Sequence, residues 1–188
     1  MSHNVEVMYS RKTPTSEEAI AQETVAHIPP GGGTRSLWVF GELTTYKIPS
    51  HMTGGAYTLF EVISRPGSGP PPHVHHREDE AIYVLEGEYE FSIKGQTMKV
   101  EAGSLLYVPK GVLHAHENVG ERSGRMLLTQ TPGGSYEHFF ENAGGPADGD
   151  NVEPPAFKER PGLEKRIVEV AAEHGIEIPV PIAGCSRT

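Results

Sequence analysis

Glycine recurs at positions 87, 95 and 103, eight residues apart, inside a run of alternating apolar and polar residues. Tyr89, Phe91 and Ile93 alternate with Glu88, Glu90 and Ser92. Upstream, Tyr57, Leu59, Glu61 and Ile63 alternate with Thr58, Phe60 and Val62. Residues two apart on a strand share a face, and the β-branched and aromatic residues here suit a pleated surface. Strand signals begin at Ser36–Phe40 and continue to about Gln130. Short strands punctuated at this spacing specify an all-β sandwich or barrel. The interval from Gly87 to Gly103 has room for two short strands and a turn.

Chemistry-bearing residues fall inside this run. His73 and His75 are two apart, so on a strand both side chains reach one point. Glu80 follows five residues later, far enough for the chain to bend and start a new strand, Glu80–Leu85. His114 must come from a separate strand facing the same interior. Three imidazoles and one carboxylate suit one divalent first-row transition metal (Fe, Mn, Ni, Co, Cu or Zn) and leave positions open for chemistry. The spacing does not choose among these ions.

The spacing G-x5-H-x-H-x4-E-x6-G, from Gly67 to Gly87, is followed by G-x5-P-x-G-x2-H-x3-N, from Gly103 to Asn118. Together these resemble the two-part signature of the cupin superfamily, and all ten specified positions match. The resemblance implies a cupin-type antiparallel β-barrel, the double-stranded jelly roll, with His73, His75, Glu80 and His114 as metal ligands. Only Glu80 fits the x4 spacing, so Glu78 and Asp79 are expected as solvated turn residues. His76 is expected to be exposed. His116 shares a face with His114 and is a candidate for the substrate pocket.

Two further stretches are similar to small single-domain cupins related to bacterial quercetin 2,3-dioxygenase. One is Thr53–Leu59 running into Pro70–Ala81; the other is Thr131–Gly144. In that group the second stretch is a helix closing the barrel mouth, which makes Phe139 and Phe140 candidate pocket residues. The glutamate ligand there can take the proton of a flavonol hydroxyl, so Glu80 would be both ligand and base. The resemblance implies a dioxygenase acting on a flavonol-like or other enolic or aromatic small molecule. A metal-dependent isomerase or lyase and a non-catalytic binding module are the alternatives.

Outside the barrel, residues 1–34 read as an N-terminal arm, 35–131 as the barrel and 132–188 as a C-terminal helical extension and tail. Thr15 and Glu18 fit a helix cap running to Gln22. Ser135 is the expected cap of a short helix that stops at Gly144. Residues 145–160, rich in Gly, Pro and Asp, read as linker. Pro161 suits the first turn of a second helix, Leu163 to about His174, closed by Gly175.

Over 188 residues the formal net charge is −9, which disfavours a nucleic-acid partner. No segment approaches 18 apolar residues, so no membrane span is expected. The N-terminus has no secretory pattern, and a lone cysteine, Cys185, fits a reducing cytoplasm. A small-molecule substrate is the expected partner. An uncovered sheet edge also leads us to expect a homodimer.

Overall fold

The computed structural model describes residues 25–147 and 163–179. The alternation seen in the sequence becomes ten strands between Arg35 and Thr131. They are β1 (Arg35–Val39), β2 (Glu42–Ile48), β3 (Thr58–Ser64), β4 (Val74–His75), β5 (Asp79–Glu86), β6 (Glu88–Ile93), β7 (Gln96–Glu101), β8 (Leu105–Val108), β9 (His114–Asn118) and β10 (Gly124–Thr131). Two strand fragments follow later in the chain, β11 (Gly145–Pro146) and β12 (Ile176–Glu177).

The first sheet has the order β11-β1-β2-β3-β10-β5-β8, antiparallel throughout. The second has the order β7-β6-β9, and β12 pairs with β4. An antiparallel bridge between His73 and His114 joins the β4 segment to β9. The architecture is the expected antiparallel jelly roll.

Turn chemistry explains the glycine spacing. Lys94 and Gly95, with φ of 50° and 79°, link β6 to β7. Two successive positive φ values are what a two-residue hairpin turn needs to match strand twist. At Gly87 (φ 95°) a Cβ would lie 2.6 Å from the Gly124 Cα, so two backbones touch there. Only glycine satisfies both demands.

Inward alternation builds the core. Phe60 and Val62 of β3, Ile82 and Val84 of β5, and Met126 and Leu128 of β10 meet Tyr89 and Phe91 of β6. Burying each large apolar side chain contributes about 1.5–3 kcal/mol. Helix α1 (Ser135–Ala143) adds Tyr136, Phe139 and Phe140 to this core. The Phe140 and Tyr136 rings meet Phe60 edge-on, at 5.3 and 6.1 Å between centroids. Helix α2 (Leu163–Glu173) buries Ile167 and Ala171.

Three sequence expectations need correction, and others fall outside the described residues. Ser135 is the first helical residue, Gly134 holds the cap position, and the Ser135 hydroxyl donates to the His174 carbonyl at 2.9 Å. The hydroxyl thus ties α1 to the end of α2 and does not cap its own helix. Gly145–Pro146, expected as linker, pairs with Leu37 and Trp38 of β1. Glu78, expected in solvent, is 1% exposed. The returning chain covers its turn: β12 pairs with β4, and His76 N–H donates to the Gly175 carbonyl at 2.9 Å. Finally, the Thr15–Gln22 helix, the linker beyond residue 147, Pro161 and Cys185 lie outside the described residues.

Candidate metal centre

The bridge between His73 and His114 and the two-residue step to His75 bring three imidazoles to one point inside the barrel. One ligand nitrogen from each lies within 4.8 Å of the others, and all three residues are buried. His73 Nε2 is 3.1 Å from His75 Nε2. Outer nitrogens of two rings are tied down the same way. His73 Nδ1 is 2.9 Å from the Pro71 carbonyl, and His114 Nδ1 is 2.9 Å from the Val112 carbonyl. A carbonyl only accepts, so each Nδ1 carries a proton; in the neutral His73 ring Nε2 then keeps its lone pair facing inward, whereas His114 Nε2 faces the Glu80 carboxylate.

Electrostatics favour neutral rings at two of these positions. Burial pushes the His75 imidazole down to about 4, with Glu80 opposing and His114 adding to the effect. Burial likewise holds His73 well below its ordinary value, aided by His114 and His75. Neutral imidazole is the form that binds a metal. The donor set of three buried, converging imidazoles therefore fits a first-row transition ion.

Glu80 lies beside this group, outside the mutual set of three nitrogens. Its Oε2 is 2.9 Å from His114 Nε2, and its Oε1 accepts from Gln130 Nε2 at 2.8 Å. Burial alone would raise the Glu80 carboxyl. The His114 hydrogen bond and the charges of His75 and His114 outweigh it and hold the group below its usual value. For His114, burial works downward, but contact with Glu80 raises the ring overall. Gln130 sits directly across from Glu80 in the β10–β5 register and is fully buried.

A narrow cavity of about 10 Å³ opens beside the histidines. His73, Glu80, His116, Glu42, Thr44 and Tyr136 supply its polar lining, and Val39, Phe40, Val62, Leu128 and Phe140 its apolar lining. Of the candidate pocket residues, His116 and Phe140 line this cavity. Phe139 lies behind them, 1% exposed and stacked on Tyr136 and Phe40. Tyr136 meets the His75 ring edge-on at 4.7 Å.

His76 is exposed, as expected, with its ring 2.9 Å from Glu177. Asp79 is half-buried and accepts from Lys110 N–H at 2.9 Å. Among the described residues, neither Glu78 carboxylate oxygen has a well-formed hydrogen bond; burial raises its carboxyl, opposed by the Ser135 hydroxyl and the Arg77 charge. Glu42, Gln130 and Tyr136 were not anticipated. Glu42 and Gln130 sit at inward strand positions whose neighbours alternation alone does not name, and Tyr136 reaches His75 from helix α1.

Residues 60–130 match the family model described as Cupin domain. Polyketide synthase CurC of Streptomyces cyaneus is 33% identical over 132 residues, which span 67% of this chain and 83% of that protein. Quercetin 2,3-dioxygenase of Bacillus subtilis is 27% identical over 141 residues, spanning 74% of this chain but 41% of that enzyme. The crystal structure of a predicted oxalate decarboxylase from Thermotoga maritima superposes with a TM-score of 0.53 at 21% identity, covering 57% of this chain and 99% of that one. That last likeness concerns the fold. Among the described residues, no helix is long and apolar enough to cross a membrane.

Proposed function

Since the chain belongs to the cupin superfamily, we propose that it is a metal-dependent dioxygenase acting on an enolic or aromatic small molecule of flavonol-like or polyketide-like character. The observation that carries this reading is the convergence of His73, His75 and His114 beside a buried carboxylate. The likeness to a quercetin 2,3-dioxygenase supports the oxidative choice, and the likeness to a polyketide synthase component supports the substrate class.

His73, His75, His114 and Glu80 would hold the ion. When bound, it supplies Lewis-acid polarisation of a substrate oxygen and a meeting point for dioxygen. Glu80 accepts the proton of the substrate hydroxyl, because it is the carboxylate beside the three histidines. Gln130 holds the Glu80 Oε1 from the neighbouring strand, fixing the direction in which Oε2 faces. Tyr136 and Phe140 of α1 shield the cavity from water. In this reading 35–131 carries the chemistry, 132–188 covers it, and the 1–34 arm or an edge strand crosses to a second copy in a cytoplasmic homodimer.

Oxygen uptake with a panel of flavonols and other enols, run aerobically and anaerobically at measured metal content, tests the reaction. Glu80→Gln should keep much of the metal and lose turnover, since an amide cannot take the proton. Equal rates in wild type and Glu80→Gln would refute Glu80 as base. Substrate conversion without oxygen uptake would favour the second reading, a metal-dependent isomerase or lyase, and no conversion at all would favour a binding module.

A further inference from the structure

The cavity contains a second histidine–glutamate pair. His116 is two residues beyond His114 on β9, and Glu42 opens β2; they are 6% and 5% exposed. His116 Nε2 lies 3.0 Å from Glu42 Oε1, and the buried Ser64 hydroxyl donates to the same oxygen. The carboxylate only accepts, so the proton sits on His116 Nε2, and the neutral ring has its lone pair on Nδ1. Neither His116 Nδ1 nor Glu42 Oε2 makes a hydrogen bond among the described residues.

Two other buried polar side chains are well supplied with partners inside the protein. Asn118, the next inward residue on β9, donates to the Ser64 and Arg122 carbonyls and accepts from Gly120 N–H. Buried Glu137 takes three hydrogen bonds. A buried acceptor left open is costly unless something supplies its donor. Here two acceptors without a donor among the described residues belong to side chains that line one cavity, which His73, Glu80 and Thr44 share with apolar and aromatic walls.

We propose that Glu42 and His116 form a polar anchor that accepts the hydroxyl of a compact, flat, enolic or phenolic ligand in the cavity shared with His73 and Glu80. This rests on the substrate class proposed above. It adds a specificity element: at about 10 Å³ the cavity matches a single water. A ligand must therefore displace the Tyr136 and Phe140 rings, and small flat molecules displace them least.

Calorimetry on zinc-loaded protein tests the anchor without turnover. The probes are 3-hydroxy-4-pyranone and its 3-methoxy ether, compared at equal zinc content so that any contact to the ion cancels between variants. Wild type should prefer the enol. In His116→Phe and Glu42→Leu the enol-to-ether preference should fall by roughly tenfold or more, the worth of one buried hydrogen bond, while zinc content holds. Glu42→Gln, which still accepts from His116 and guards against misfolding of the Leu variant, should lose less. Phe140→Ala should tighten both probes alike. No enol preference in wild type, or a preference undiminished in both His116→Phe and Glu42→Leu, would overturn the anchor. Absent oxygen uptake would sink the dioxygenase reading and leave the anchor standing; an undiminished preference in both variants would do the reverse.

Discussion

Removing the Glu137 carboxylate should loosen the cover of the cavity before it unfolds the barrel. Glu137 lies on α1 and is 8% exposed. Its Oε1 accepts from Ser50 N–H and from the Thr58 hydroxyl at 2.7 Å, and its Oε2 accepts from the Ser50 hydroxyl at 2.8 Å. The Tyr46 hydroxyl also donates to the Glu137 carbonyl at 3.0 Å. These bonds fasten α1 to β2, to β3 and to the turn before β3. In Glu137→Ala the Thr58 hydroxyl, fully buried, and the Ser50 N–H lose their acceptor. Each unsatisfied buried donor costs about 1–3 kcal/mol, and Ser50 is half-buried, so water offsets part of its loss. We expect a total of about 3 kcal/mol, a large share of the roughly 5–15 kcal/mol available to a domain. Glu137→Gln retains one acceptor oxygen and should lose about half as much. The contrast is Glu141→Ala on the same helix, where the Arg35 ion pair is half exposed and should cost under about 1 kcal/mol. Urea unfolding of the three variants measures these losses. Amide exchange should show residues 136–143 of Glu137→Ala opening at lower free energy than β3 and β10. A loss below about 1 kcal/mol in Glu137→Ala, or exchange quickened equally across the barrel, would refute the clasp.

Other expectations concern the histidines and one close backbone approach. His75→Ala should lose most bound metal while keeping the fold, checked by metal analysis beside circular dichroism. His75 is held near 4 against an ordinary 6.5, so its contribution to stability is intact above pH 6.5 and drains away as pH falls towards 4. That gap is worth about 3 kcal/mol in the metal-free protein, and His73, lowered in the same direction, adds to it. Urea midpoints that stay level from pH 7 to pH 4 would contradict this. Gly69→Ala would place a Cβ 1.9 Å from the His116 carbonyl oxygen. Backbone must move there, so we expect a loss of about 3 kcal/mol or more and weakened metal binding, because β9 carries His114. Normal metal affinity in a folded Gly69→Ala protein would show that β9 yields without disturbing the site.

Local order determined what could be read along the chain. Strand period places His73 with His75 and His114 with His116, and it places Phe60 with Val62, because two-residue repetition is a property of a single strand. Glycines at 87 and 95 mark backbone that needs positive φ, which is likewise a local demand. Alternation says which side chains share a face, but it cannot say which strand will lie opposite. Register alone sets Gln130 across from Glu80. Closure of β2 against β9 brings Glu42 to His116, residues 74 positions apart in the chain. Glu78 reads as a solvated turn residue beside Glu80, and it is buried because β12 returns to pair with β4, a contact made by residues about a hundred positions downstream. The three histidines were legible because two of them are neighbours on one strand. Their hydrogen-bonding partners and the cover of the cavity were decided by contacts between distant segments, which only the packed chain brings together.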